Sequence, residues 1–158
     1  MRLEIDLAAQ ALDLVDDAGV RQRRYPVSTA LNGPGEQQDS GCTPRGRHVV
    51  RARIGAGRDP YTVFRGRRPT GEHWSPSLAD ASPDRDWILG RILWLSGCEP
   101  GRNRLGAVDS MRRYIYIHGT GDDQPMGEPH SHGCVRMRVA DVVELFELVP
   151  AGTPVEIR

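Results

Sequence analysis

The residues best suited to chemistry stand in two stretches, Ser131-His132-Gly133-Cys134-Val135-Arg136-Met137 and Tyr114-Ile115-Tyr116-Ile117-His118-Gly119. A cysteine preceded by Gly, His and Ser, with a second histidine closing an apolar segment upstream, holds the parts of an acyl-transfer site. They are a thiol nucleophile, a base, and a glycine that lets backbone N–H groups face a reacting carbonyl oxygen. A free thiol ionises near pH ~8.5, so it needs help at neutral pH. His118 is the candidate that takes its proton or, already protonated, holds the thiolate as an ion pair. No Asp or Asn is an obvious third member, so a backbone carbonyl, such as that of Gly119, is expected to orient the imidazole. The N–H groups of Gly133 and Cys134 are expected to form the oxyanion hole, Gly133 lacking the Cβ that would obstruct approach.

Two other readings compete for the same residues. His130, His132 and Cys134 alternate, so an extended segment would put them on one face, and with His118 they make a set of ligand types that zinc accepts. Their spacing matches no common zinc signature. Cys134 could also be a buried, inert thiol, but inert cysteines sit in apolar surroundings, and this one lies in a polar loop. His48 reads as a partly exposed strand histidine.

These side chains need a scaffold, and the pattern around them is strand-rich. Arg2–Leu7, Ala11–Val15 and Arg21–Ser28 read as strands, the last interrupted near its end by Pro26. Thr43-Pro44-Arg45-Gly46 feeds a strand over His48–Ile54 with Val50, Ala52 and Ile54 on one face. Tyr61–Phe64 is a short strand, and Trp87–Leu95 a buried one in which Gly90 marks a bulge or close approach. Arg113–His118 is expected to be a strand that shows Tyr114, Tyr116 and His118 on one side and Ile115 and Ile117 on the other. Residues 65–86 are polar, hold Pro69, Trp74, Pro76 and Pro83, and read as a long structureless loop. A loop of that length in a compact domain is usually functional or mobile, so it is expected to form either a flap whose Trp74 contacts ligand or a solvated surface excursion. Ala140–Leu148 reads as a helix with a Val142, Leu145, Phe146, Val149 stripe and no polar N-cap at Val139. Val155–Arg158 closes the chain as a strand.

The 158 residues suit a single domain over 1–158, and the 18 glycines and 12 prolines favour a mainly β fold. The 21 basic residues, all Arg, balance 21 acidic ones, so no nucleic-acid partner is expected from bulk charge. No run is long enough to span a bilayer, so no membrane insertion is expected. No signal peptide opens the chain, which points to the cytoplasm if the chain is full length and to the periplasm if an export signal was removed. Cys42, Cys98 and Cys134 fit three free thiols, or one Cys42–Cys98 disulfide beside a free nucleophile.

Ser131-His132-Gly133-Cys134-Val135-Arg136, with His118-Gly119 upstream, resembles the signature of the YkuD-type L,D-transpeptidases. Pro26-Val27-Ser28-Thr29, Thr43-Pro44-Arg45-Gly46, Ile115-Tyr116-Ile117-His118-Gly119-Thr120 and Gly152-Thr153-Pro154-Val155-Glu156-Ile157 look like further landmarks in that family's order, so the likeness runs over nearly the whole chain. The resemblance implies a curved β-sandwich or barrel-like sheet with one helix after the catalytic cysteine. It implies that Cys134 attacks the bond between the diamino acid and D-alanine of a peptidoglycan tetrapeptide stem, with His118 as base and His132 and Gly133 shaping the site. Arg136, Ser131, Gly119 and Trp74 fall on the substrate side. No metal or cofactor is implied. The partners implied are stem peptides or muropeptides, with carbapenem-type β-lactams as covalent inhibitors. Water as acceptor would make an L,D-carboxypeptidase and a second stem amine a cross-linking transpeptidase. The alternative on the same fold is a non-catalytic binder of peptidoglycan fragments.

Overall fold

A computed structural model describes all 158 residues. It is mostly β, a single curled half-barrel sheet with one long helix against it. The strands β1 (Arg2–Asp6), β2 (Ala11–Val15) and β3 (Arg21–Pro26) form an antiparallel meander at one side. Next come β10 (Pro154–Ile157), which lies parallel to β1, then β4 (Gly46–Ile54) and β7 (Ile88–Gly97). Ten-residue β7 is the hub. Besides β4 it pairs with β5 (Thr62–Arg65), which carries β6 (Arg68–His73), and with β8 (Tyr116–Thr120), which carries β9 (Val135–Arg138) in parallel. Gly90 makes this sharing possible. It has φ +77, and a Cβ there would come within 2.6 Å of the Pro60 carbonyl oxygen. The β7–β8 register shifts at the same place.

The alternation of β7, β8 and β9 sorts side chains onto two faces. Leu93, Leu95, Ile117, Val135 and Met137 point into the main core, which the helix α2 (Val139–Leu148) closes with Val142, Leu145 and Phe146, and Val149 just beyond it. Burying each of these large side chains contributes about 1.5–3 kcal/mol, and Leu145→Ala would cost about 2–5 kcal/mol. Arg138 stands at the α2 N-cap without a side-chain hydrogen bond, so β9 feeds directly into the helix. At the other end no basic residue lies in the last turn; instead Arg53 of β4 donates Nη2 to the Phe146 carbonyl, its guanidinium 4.0 Å from the Phe146 ring centre.

Several expectations are corrected here. Residues 65–86 are not structureless: they form the β5–β6 hairpin and the short helix α1 (Pro76–Ala81). Ser75 caps α1 by accepting from the Leu78 N–H at 3.2 Å, and Pro76 occupies its first turn, where no N–H is needed. Trp74 does not stand on an open flap. Its side chain is 4% exposed and packs with Val63, Ala79, Trp87, Leu89 and Val139, anchoring hairpin to helix. The strand expected over Arg113–His118 starts at Tyr116, because Tyr114 turns through φ +57 and lies 54% exposed, so His118 sits mid-strand and not at its end. His48 is buried, not partly exposed, since β4 begins at Gly46 and carries it on the same inward face as Val50. All three cysteines are free, so Cys42 and Cys98 are unpaired.

Candidate active site

The parallel β8–β9 pairing sets Ile117 opposite Val135 and His118 opposite Arg136. Ile117 and Val135 take the core face, so Tyr116, His118, Arg136 and, just ahead of β9, Cys134 take the other. Cys134 thus emerges beside the Tyr116 backbone. Its Sγ accepts the Tyr116 N–H at 3.3 Å and donates to the Tyr114 carbonyl at 3.3 Å, against a floor of Phe64, Ile92 and Tyr116. Thiol and imidazole therefore share one face of two adjacent strands.

His118 is 1% exposed. Its Nδ1 lies 2.7 Å from the Gly119 carbonyl oxygen, which can only accept, so Nδ1 carries the proton and Nε2 a lone pair. Nε2 is buried with no hydrogen-bond partner, Sγ included. Burial holds the His118 pKa below its ordinary value, partly opposed by the Asp86 carboxylate. Cys134 keeps some open surface, but the protein around its sulfur pushes the thiol up to about 12, the Tyr116 N–H pulling the other way. The thiol and, on the same face, an imidazole whose Nε2 has no hydrogen-bond partner are the two groups an acyl transfer would need.

The loop that delivers Cys134 is held from within. Ser131 is buried, and its Oγ donates to the Cys134 carbonyl at 2.6 Å and accepts the Gly133 N–H at 3.2 Å. Gly133 has φ +134, and its carbonyl accepts from Thr43 Oγ1 at 2.9 Å, which in turn accepts the Ala30 N–H. Ala30 and Ser28 bridge to Ser131 and Arg136. Two expectations change as a result. The Ser131 hydroxyl is spent on bracing the turn, and the Gly133 N–H is already engaged, whereas the Cys134 N–H is free of any hydrogen bond and could donate to an oxyanion. Gly119 does not face the cleft. It is buried where a Cβ would come within 2.6 Å of the Leu89 carbonyl oxygen, and it serves the site through the carbonyl that orients His118.

Arg136 is buried and donates Nη2 to Asp86 Oδ1 at 2.8 Å and Nη1 to the His130 carbonyl at 3.3 Å, its Nε left unpartnered. Asp86 is the partner of Arg136 that sequence reasoning missed. A motif arginine on an inward-facing strand position needs a counter-charge, and the acid that ends the 65–86 stretch supplies it. The His132 side chain is 78% exposed, with Nδ1 3.6 Å from Asp86. It lines two clefts. One, about 370 Å³, is lined by Gln38, Asp39, Arg112 and Tyr114; the other, about 220 Å³, by Asp86, Thr120, Gln124 and Arg136. The four residues of the zinc reading do not gather: His118 turns to Gly119, His130 to Glu128 and His132 to Asp86, and no three His, Cys, Asp or Glu side chains converge.

With this geometry in place, likeness to known proteins becomes informative. The family model described as YkuD, L,D-transpeptidase catalytic domain, matches residues 1–157. A stretch of 46 residues is 44% identical to "Putative L,D-transpeptidase YkuD" of Bacillus licheniformis, covering 29% of this chain and 28% of that protein. A structure of "L,D-transpeptidase from Mycobacterium smegmatis" superposes with TM-score 0.59 at 16% identity, over 99% of this chain and 57% of that one. A structure of "LD transpeptidase LdtMt1 in complex with imipenem" superposes with TM-score 0.56 at 16% identity, over 99% and 57%. These structural likenesses speak for the fold, and the chain spans little more than half of each of these two structures.

Proposed function

The chain belongs to the YkuD family of L,D-transpeptidase catalytic domains, and on that premise we propose that it is a cysteine acyltransferase acting on peptidoglycan tetrapeptide stems. The observation that carries this reading is the open Nε2 of a buried, carbonyl-oriented His118 on the same face as Cys134. A substrate amide laid against Cys134 displaces the thiol from the Tyr114 carbonyl. His118 Nε2 then takes the thiol proton as sulfur attacks the carbonyl carbon of the diamino acid–D-alanine bond, and the oxyanion meets the Cys134 N–H. Collapse breaks the C–N bond, His118 returns the proton to the departing D-alanine nitrogen, and an acyl-thioester remains. Arg136, held by Asp86, sets the shape and charge of the smaller cleft. His132 lines both clefts.

Water reaching the thioester makes an L,D-carboxypeptidase that trims muropeptides, and that acceptor goes with a cytoplasmic location. An amine of a second stem makes a cross-linking transpeptidase, which goes with the periplasm. Incubation with a tetrapeptide stem tests the shared first half. Release of D-alanine is expected, and release that survives Cys134→Ala would end the reading. Mass spectrometry then separates tripeptide from cross-linked dimer. Because a relative has been seen with imipenem, a carbapenem is expected to add covalently to Cys134, visible by intact mass. A non-catalytic binder of peptidoglycan fragments would bind stems with neither turnover nor adduct.

A further inference from the structure

We propose that Arg67, at the tip of the β5–β6 hairpin, is a positioning residue for the Cys134 nucleophile, acting through Tyr114 and Tyr116; this rests on the acyl-transfer reading above. The hairpin joins Arg65 to Arg68 through Gly66 and Arg67, whose φ values are +55 and +64. A two-residue hairpin turn with both central residues in the left-handed region favours glycine or asparagine there, and arginine carries a Cβ that this backbone disfavours. A non-glycine residue held in that region marks a place where something other than turn geometry selects the side chain.

The selecting contacts are visible. Arg65 and Arg68 project into solvent, whereas Arg67 is half-buried. Its Nη1 donates to the Tyr116 hydroxyl at 3.1 Å, and its guanidinium lies 4.6 Å from the Trp94 ring centre and 5.1 Å from that of Tyr114. Those two tyrosines supply both hydrogen-bond partners of the sulfur, the Tyr116 N–H and the Tyr114 carbonyl. Tyr114 is itself held at φ +57, with its N–H on the Met111 carbonyl, and Trp94 Nε1 donates to that same carbonyl. One guanidinium therefore grips the side chains of the two residues whose main chain flanks Sγ. Phe64 of the same hairpin packs on the Ile92 and Tyr116 floor beneath the sulfur, so the hairpin is anchored where a shift of its tip would be felt. Arg67 makes no hydrogen bond to the sulfur, so its effect passes through the orientation of the Tyr116 N–H and Tyr114 C=O.

Arg67→Gly separates this from a turn-stabilising role, because glycine suits the backbone while the whole side chain, stem and guanidinium, is lost. The expectation is a kcat for D-alanine release lowered about tenfold, with KM changed less than about twofold. The pH midpoint for iodoacetamide labelling of Cys134, followed by peptide mass spectrometry, is expected to move while that of the exposed Cys98 stays. Arg67→Lys, which keeps the charge over the rings and one donor, should recover part of both readouts. Unchanged kcat and an unchanged Cys134 midpoint would overturn the proposal, as would a raised KM at constant kcat, which would mean direct substrate contact. Circular dichroism reports on folding, and Arg67→Met, which keeps an apolar stem across the rings, replaces the glycine variant if that one fails to fold. Should the unmodified protein release no D-alanine, the acyl-transfer reading fails by itself, and the labelling midpoint still decides whether Arg67 orients the sulfur's surroundings.

Discussion

Two histidines in this molecule are built alike and finished differently. His48 on β4 and His118 on β8 are both buried, and each fixes Nδ1 on a backbone carbonyl, of Gly46 at 3.0 Å and of Gly119 at 2.7 Å. At His48 the second nitrogen is closed, since Ser110 Oγ donates to Nε2 at 2.8 Å. At His118 the second nitrogen has no partner. A buried polar atom left open costs stability, so its persistence asks for a reason. Of five such side-chain atoms, two, His118 Nε2 and Arg136 Nε, lie on the face that carries Cys134. Burial and tautomer control alone make a structural histidine. An unpartnered Nε2 on the face that carries a thiol is what the proposed base requires.

The strongest way to break this comparison is to exchange the two fates. His118→Asn should lower D-alanine release by about 10²–10⁴-fold, the usual contribution of a positioned base, while the protein stays folded. His48→Asn should leave the rate within about threefold and instead lose about 1–3 kcal/mol of stability in urea unfolding, because Asn cannot reach both Gly46 and Ser110. A large rate loss in the His48 variant, or none in the His118 variant, would dissolve the distinction.

The two sites should behave alike under acid. Burial lowers the pKa of both below the ordinary 6.5, so the unfolded chain binds these protons more readily than the folded one. The stability they contribute is therefore complete above about pH 6.5 and drains away as pH falls through the depressed folded values. Thermal unfolding followed between pH 8 and 5 should show a flat Tm and then a decline. His48→Asn should make that decline shallower. A Tm that rises on acidification from pH 7 to 5 would reverse the assigned direction.

These two histidines also show what the chain discloses on its own. His118 is legible because Gly119, Cys134 and the alternation of Ile115 and Ile117 surround it with a recognisable chemistry. His48 is misread, although parity with Val50 already placed it on the inward face, because histidines are more often exposed. Its partner Ser110 lies 62 residues away in a loop whose composition reads only as polar. The same limit hides Asp86 and Arg67. Their roles come from pairings between residues 50 and 49 positions apart, and the hairpin that carries Arg67 has in β6, Arg-Pro-Thr-Gly-Glu-His, an exposed edge strand with no apolar alternation to announce it. The strands β1 and β2 and the helix α2 announce themselves because each buries apolar residues in the core. The function of Ser131 is likewise invisible in a motif, since its hydroxyl is spent on its own turn.

The smallest expected effect sharpens the comparison most. Ser110→Ala removes the hydroxyl that closes His48 and leaves a second buried imidazole with an open Nε2, the condition seen at His118. Leaving that nitrogen unpartnered should cost about 1–3 kcal/mol, or roughly 2–10 °C in Tm for a chain of this size. The Ser110→Ala and His48→Asn losses should not add, because both break the same bond, and the double variant should fall short of their sum by an amount above the usual additivity error of about 0.5 kcal/mol. Iodoacetamide should still label Cys134 with its unmodified pH midpoint, since no thiol shares a face with His48. Strict additivity would mean that the His48–Ser110 bond contributes nothing. The openness of His118 Nε2 would then be no exception among buried histidines, and the inference from an orphaned nitrogen to a catalytic base would lose its footing.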